Sequence, residues 1–142
     1  MVIIEEQFAL GIEFISTQDA HRCTLVNICG PCQGEQRDNF TKWLFDLDIP
    51  SSGDWLLLRD FNYIRAPKNH NLPGRYIHDL FTFNGFIREQ ELTELPIKGR
   101  AYTWSNMQQN PLLKQLDWFC TKLNWTTSFP NTMVLPLGKP VS

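Results

Sequence analysis

The chain has 142 residues, of which 42% are hydrophobic and 20% are charged, and its formal net charge is −2. These values fit one globular domain with a buried core. They argue against a pure DNA-binding module, whose surface would carry a basic face. No stretch has the apolar length of a membrane span, and the first residues lack a signal peptide's basic region, so we expect a soluble, intracellular protein. The four cysteines are too few for a disulfide scaffold.

The first third of the chain predicts strands followed by one helix. Residues 2–16 predict one or two strands, since Leu10, Ile12 and Phe14 alternate with Gly11 and Glu13 as in a half-buried strand. Residues 23–29 predict a further strand, and a Gly-Pro pair ends it. Residues 35–48 place their large apolar side chains at helical spacings, so we expect one helix there.

The segment 54–65, DWLLLRDFNYIR, predicts the central strand of the fold. Residues 55–58 are an apolar run of the length expected for a strand buried on both faces. Asp60 and Asn62 follow it, at the strand end where open α/β folds place their chemistry. If the chain stays extended, these two side chains point the same way. The alternative is an Asx turn, in which both side chains only satisfy local backbone groups.

The remainder of the chain predicts short elements around loops. Strands outnumber helices and the helices fall between strands, which favours one mixed α/β sandwich domain over residues 1–142. The expected elements are a loop at 66–75, a helix at 76–86, strands at 92–95, 101–104 and 116–120, a helical turn at 125–129 and a last strand at 133–137.

Cys29-Gly30-Pro31-Cys32 is a candidate redox motif. A strand, a CGPC sequence and then a helix is the arrangement of thioredoxin-like sites, in which the helix N-terminus lowers the pKa of the first thiol. However, the strand runs directly into Cys29, the residues after Cys32 are polar, and no segment supplies the cis-proline of that family. A thiol-disulfide oxidoreductase acting through Cys29 and Cys32 therefore stays an alternative hypothesis.

A second set of motifs occurs in a fixed order: WLLLRDFNYIR, AYTWSN, LLKQLDWF and a final PVS. This set resembles the endonuclease/exonuclease/phosphatase superfamily, and specifically the endonuclease domain of plant LINE-type (non-LTR) retrotransposons. Members of that group read approximately NVYGPC, WLLGGDFN, FTWSN, RLDR and SDH. The resemblance spans residues 24–142. It implies a deoxyribonuclease I-like fold of two mixed sheets flanked by helices, dependence on Mg²⁺ and DNA as the substrate.

The resemblance also implies roles for individual residues. Asp60 matches the aspartate that orients and deprotonates the attacking water, and Asn62 matches the amide that holds the phosphate and water in line. Asp117 matches the aspartate that orients the catalytic histidine, and Trp104 matches an aromatic residue that borders the site. Phosphoryl transfer needs charge neutralisation and alignment, which these groups would provide with Mg²⁺. Asp60 is the candidate metal ligand.

The chain departs from the family pattern at several positions. Cys29 stands where the family has a phosphate-contacting tyrosine, Arg59 replaces the glycine before the aspartate, and Trp118 replaces an arginine. The sequence stops at Ser142, where the family continues with Asp-His. The family's N-terminal segment, with its metal-binding glutamate, has no counterpart either. We therefore expect an incomplete sandwich and a fragment that is weak or inactive as a nuclease.

Two further alternatives share this resemblance. One is a non-catalytic remnant or binding module of the same fold, and the other is a phosphatase acting on small phosphoesters. Lys68, His70 and Arg75 form a small basic loop after the central strand. Such a loop either contacts a DNA backbone or is an ordinary polar loop. A DNA substrate would favour a nuclear location.

Overall fold

The structure is a computed structural model that describes residues 1–31, 34–50, 53–71 and 77–137. Within these ranges the chain forms strands, helices and one 3₁₀ turn. The strands are β1 (Val2–Glu6), β2 (Ala9–Ile15), β3 (Arg22–Cys29), β4 (Trp55–Asp60), β5 (Thr93–Glu94), β6 (Trp104–Ser105), β7 (Leu113–Lys114) and β8 (Asp117–Thr121). The helices are α1 (Gly34–Asp46), α2 (Ile77–Glu89) and α3 (Leu123–Ser128), and the 3₁₀ turn is Pro67–Asn69. None of the helices in the described ranges is both long and apolar enough to cross a membrane.

Six strands form one mixed sheet in the order β1-β2-β3-β4-β8-β5. β3 and β4 are parallel, so the chain must cross over between them, and α1 lies in that connection. The other neighbouring strands are antiparallel. β6 and β7 form a separate two-stranded sheet. β4 is therefore an inner strand, and this explains why its sequence is a continuous apolar run.

One face of the large sheet carries the hydrophobic core. The side chains that alternate toward this face meet apolar side chains of α1 and α2, because each element must bury its apolar side against another. The best buried members of this cluster are Val26, Phe40, Leu44, Leu57, Phe83, Phe86 and Cys120.

The opposite face of the sheet is also apolar but only half-buried. Its side chains alternate with the core residues along β3, β4 and β8, and they include Leu25, Leu56, Leu58 and Phe119. Residues 132–137 lie across from this face and leave a cleft of about 660 Å³. This cleft is the apolar cleft referred to below, and one of its ends reaches the start of β8.

The mixed α/β organisation predicted from the sequence is confirmed, and the predicted helices at 35–48 and 76–86 are observed as α1 and α2. Tyr76 lies outside the described residues. The predicted last strand at 133–137 is wrong, because only Val134 pairs, through a single bridge to Ile97. The strand expected at 101–104 is likewise reduced to the two residues of β6. A short apolar run forms a strand only where a partner edge is available to it.

Candidate active site

The site begins with two carboxylates on neighbouring strands. Asp60 is the last residue of β4, Asp117 is the first residue of β8, and the two residues are directly opposite each other in the antiparallel register. Directly opposite residues place their Cβ atoms about 4.5–5.5 Å apart on the same face of a sheet. The fold therefore brings together two carboxylates that are 57 positions apart in the sequence.

Both carboxylates are harder to ionise than usual. Burial, and then the charge of Asp117, raise the pKa of Asp60 from 3.8 to about 6. Burial also raises the pKa of Asp117, while a hydrogen bond from the Thr103 side chain and the positive charge of Arg59 oppose this rise. Near neutral pH, Asp60 is therefore poised to accept or release a proton, as a general base requires.

The backbone turns sharply immediately after Asp60. The φ angle of Asn62 is 54°, so the extended chain ends there. The Asn62 backbone N–H donates to Asp60 Oδ1 over 2.9 Å, and the Asn62 side-chain amide donates to the Gly30 carbonyl. The condition for Asp60 and Asn62 to point the same way is not met, because strand alternation stops at the positive φ angle of Asn62. The bond from the Asn62 N–H to Asp60 is that of the Asx-turn alternative, whereas the Asn62 amide bonds to a residue 32 positions away.

Gly30 allows the end of β3 to approach this turn closely. Its backbone N–H donates to the Asp60 carbonyl over 2.7 Å. A Cβ atom at this position would lie 2.8 Å from Cε2 of Phe40 and 2.9 Å from the Phe61 carbonyl oxygen. A side chain does not fit there without displacing the backbone, so glycine is required for the contact that fixes the residues around Asp60.

Arg37 of α1 holds the same turn from the helical side. Its guanidinium donates to the Asn62 carbonyl over 2.8 Å and to Asp79 over 2.9 Å, and it lies 4.2 Å from the centre of the Tyr63 ring. The Arg37 side chain is only 17% exposed. Sequence reasoning missed this residue, because an arginine within a polar stretch of helix carries no signal of a contact 25 residues away.

Thr103 fixes the beginning of β8. Its Oγ1 accepts the backbone N–H groups of Leu116, over 2.9 Å, and of Asp117, over 3.1 Å. The position of the Asp117 carboxylate therefore depends on a residue outside the large sheet. Sequence reasoning passed over Thr103, although it lies within the AYTWSN motif and precedes Trp104 directly.

Arg59 occupies a backbone conformation that favours glycine, with a φ angle of 87°. The family resemblance places a glycine at this position, and the structure keeps the conformation that a glycine adopts. The charge of Arg59 favours the ionised forms of Asp60 and Asp117. The Arg59 side chain also lines the apolar cleft, together with Asp117.

Trp104 lies in the β6–β7 hairpin and is 41% exposed. Its ring centre is 5.8 Å from Nζ of Lys114, the residue opposite it in the register. The ring of Trp104 is therefore exposed at the surface of a two-stranded hairpin, and its role at the border of the site stays a prediction. Thr103 is the residue of that motif that contacts the site.

Cys29 ends β3 and pairs with Asp60 in the parallel register. It is an exposed, free cysteine, and its backbone N–H donates to the Phe8 carbonyl over 2.9 Å. Cys32, the second cysteine of the predicted redox motif, lies outside the described residues. Cys29 thus lies beside Asp60 in the sheet.

The carboxylate pair offers oxygen ligands of the kind that Mg²⁺ prefers. Among the described residues, no three His, Cys, Asp or Glu side chains come together as ligands for one metal ion. Two carboxylates still suit Mg²⁺, because this ion often binds one or two carboxylates together with waters and substrate phosphates. Within the described ranges, no histidine lines the apolar cleft that Asp117 reaches; the histidines of the chain are His21, His70 and His78.

No protein-family model and no curated protein matches this chain.

Proposed function

We propose that this chain is a slow, metal-dependent phosphodiesterase domain, descended from a retrotransposon DNA endonuclease. The observation that carries the proposal is the pairing of Asp60 with Asp117 at the ends of β4 and β8. Two adjacent, half-buried carboxylates that resist ionisation lower the stability of the folded state. Such groups are concentrated at functional sites.

The chemistry available to these residues fits hydrolysis by water. Asp60, with a pKa of about 6, would accept a proton from the attacking water near neutral pH. Asn62, held through its backbone by Arg37 and Asp60, would position a polar group of the substrate. Mg²⁺ held by Asp117 directly and by Asp60 through a water would neutralise charge on the phosphate oxygens. Hydrolysis of a phosphodiester depends mainly on such positioning and charge stabilisation.

The half-buried apolar face of the sheet supports a deoxyribonuclease I-like sandwich as the finer fold. Leu25, Leu56, Leu58 and Phe119 form a surface of the kind that faces a second sheet about 10 Å away. α1 and α2 pack on the other face. We infer that this arrangement corresponds to one half of the two-sheet sandwich that the family resemblance implies.

We attribute the proposed low rate of hydrolysis to slow proton transfer to the leaving group. Positioned general acids and bases typically contribute about 10²–10⁴-fold to a rate. Added imidazole supplies a proton donor from solution, so it should raise the rate if proton transfer limits it.

A plasmid-nicking experiment tests this proposal. We expect the full chain to nick supercoiled DNA slowly with Mg²⁺, to nick it faster when imidazole is added, and to stop in EDTA. The Asp60→Asn variant should abolish the reaction, whereas Asp48→Asn, which replaces an exposed aspartate, should not. Complete absence of Mg²⁺-dependent nicking, with or without imidazole, would refute a hydrolytic site. Equal nicking by Asp60→Asn would refute the assignment of Asp60.

One observation favours a non-catalytic remnant as the second candidate. Asp60 Oδ1 and the Asn62 amide are both engaged in local hydrogen bonds, which a site ready for substrate would have to rearrange. This candidate expects DNA binding that survives in EDTA, with no nicking under any of the conditions above. A DNA-directed function of either kind would place the protein in the nucleus.

A further inference from the structure

A second cavity, of about 550 Å³, lies next to the candidate active site. It is formed between the segment that follows β4 and the loop from β5 to residue 100, and its lining is mainly polar and charged. We call it the arginine cavity. The residues used below are Arg65, Lys68, Asn84, Glu94, Arg100 and Gln115.

The arginine cavity and the apolar cleft are neighbours. Ile97 and Arg100 line both of them. Asp117, which opens onto the apolar cleft, is only two residues from Gln115, which lines the arginine cavity. A ligand strand that crosses the carboxylate pair would therefore reach the arginine cavity over a short distance.

Arg65 lines this cavity, and hydrogen bonds fix the orientation of its guanidinium. Its Nε donates to Asn84 Oδ1 over 2.8 Å and one terminal nitrogen donates to Glu94 over 2.6 Å. Its guanidinium also lies 6.0 Å from the ring of Trp118. The Arg65 side chain is 27% exposed, so a guanidinium whose orientation is already fixed still reaches the cavity. A preorganised guanidinium loses little conformational entropy when it binds an oxyanion.

Asn69 and Gln115, which also line the cavity, are held by hydrogen bonds as well. Asn69 Oδ1 accepts the backbone N–H groups of Arg65 and Ala66, and the Asn69 amide donates to Gln115 Oε1 over 3.3 Å. Gln115 in turn donates its backbone N–H to the Asn69 carbonyl over 2.7 Å. The Gln115 side chain accepts this bond through its amide oxygen. Its amide nitrogen is a hydrogen-bond donor, and Gln115 lines the cavity.

The charge of the cavity is opposite to the charge of the chain. Three cations, Arg65, Lys68 and Arg100, line it with one carboxylate, Glu94, whereas the whole chain carries −2. A fixed guanidinium, further cations and amide donors are the groups that proteins use for phosphate oxygens. The ligand class that fits is therefore a phosphate ester of a polyanionic strand.

We propose that the arginine cavity binds a backbone phosphate of a nucleic acid strand whose neighbouring phosphodiester lies at the Asp60–Asp117 pair. This inference rests on the proposed function for its substrate class. It adds a subsite that positions the strand and takes no part in the chemical step.

Binding of a fluorescein-labelled DNA duplex, measured in EDTA as a function of salt, tests the cavity separately from catalysis. We expect Lys68→Ala and Arg100→Gln each to weaken binding roughly 3- to 10-fold at about 50 mM salt. Each should also reduce the slope of log K against log salt by about 1. Lys42→Ala, which removes the same charge from an exposed position on α1, should leave both quantities unchanged.

Equal binding by Lys68→Ala, Arg100→Gln and Lys42→Ala would overturn the proposed subsite. Lys68 is exposed, so its variant should fold normally, and a thermal melt checks this. If the protein nicks DNA but these substitutions do not change its DNA affinity, the proposed subsite is rejected and the proposed nuclease function is retained. If these substitutions weaken DNA binding but no nicking is observed, the proposed subsite is retained and the proposed catalytic function is rejected.

Discussion

An aspartate lies at each end of β4, and the two carboxylates have opposite electrostatic surroundings. Asp54, just before the strand, is buried at 8% exposure, and its carboxylate accepts hydrogen bonds from the imidazole of His21 and the hydroxyl of Ser128. Asp60, at the other end, faces the like charge of Asp117. A partnered buried carboxylate serves the fold, whereas two facing carboxylates oppose it. The difference is the reason for placing the proposed site at the Asp60 end of the strand.

The largest expected effect concerns the partnered end. Replacing Asp54 by Asn removes the negative charge beside His21 and leaves the buried position with weaker hydrogen bonds to His21 and Ser128. We expect the free energy of unfolding, measured with urea near neutral pH, to fall by about 2 kcal/mol.

Asp48→Asn is the matched control, because Asp48 also precedes β4 in the sequence but its side chain is exposed. Its effect should stay within about 0.5 kcal/mol. If the two variants were equally stable, Asp54 would contribute nothing to the fold and the contrast between the strand ends would fail.

The Asp60 end should respond in the opposite direction. Its folded-state pKa of about 6 lies above the ordinary 3.8, so between these values the folded state holds more protons than the unfolded state. The free energy of unfolding therefore falls as pH rises from about 4 to about 6, and it levels off above that range. Asp60→Asn removes the ionised form and should stabilise the fold by about 1 kcal/mol at about pH 8, after allowance for partial exposure.

The same substitution should have little effect at about pH 4, where Asp60 is protonated. Asn also keeps an oxygen that accepts the N–H of Asn62, so the turn should persist. Urea unfolding at both pH values measures the difference. A destabilised Asp60→Asn protein at about pH 8 would mean that the carboxylate has partners beyond Asn62 and that the cost of facing Asp117 is small.

Local patterns predicted the framework of this site but not its details. The apolar run at the start of β4 predicted a buried inner strand with polar residues at its end, and Asp60 lies there. The orientation of Asn62 was not predictable, because alternation presumes an extended chain and the positive φ angle depends on contacts with Gly30 and Arg37. Asparagine adopts positive φ angles more readily than most residues, but the neighbouring sequence does not indicate that it does so here.

The contacts that sequence reasoning missed all join distant parts of the chain. Arg37 reaches Asn62 from a helix, and Thr103 reaches Asp117 from the residue before a hairpin. Neither contact follows from periodicity, which describes only which face of its own element a residue occupies. The resemblance implied roles for Asp60 and Asp117 in one site, but their direct pairing across β4 and β8 became visible only in the structure. The expected strand at 133–137 failed because strand formation depends on a partner edge.

The smallest expected effect lies between the two strand ends, at Arg59. Its φ angle of 87° strains any side chain, so Arg59→Gly should be more stable than Arg59→Ala by about 0.5–1 kcal/mol. Both variants remove the positive charge that favours the ionised carboxylates, so the pKa of Asp60 should rise above about 6 in each. Urea unfolding and carboxyl ¹³C NMR measure the two effects separately. If glycine and alanine were equally stable, the backbone at this position would be unstrained; if the pKa of Asp60 did not move, Arg59 would not balance the charge of the carboxylate pair.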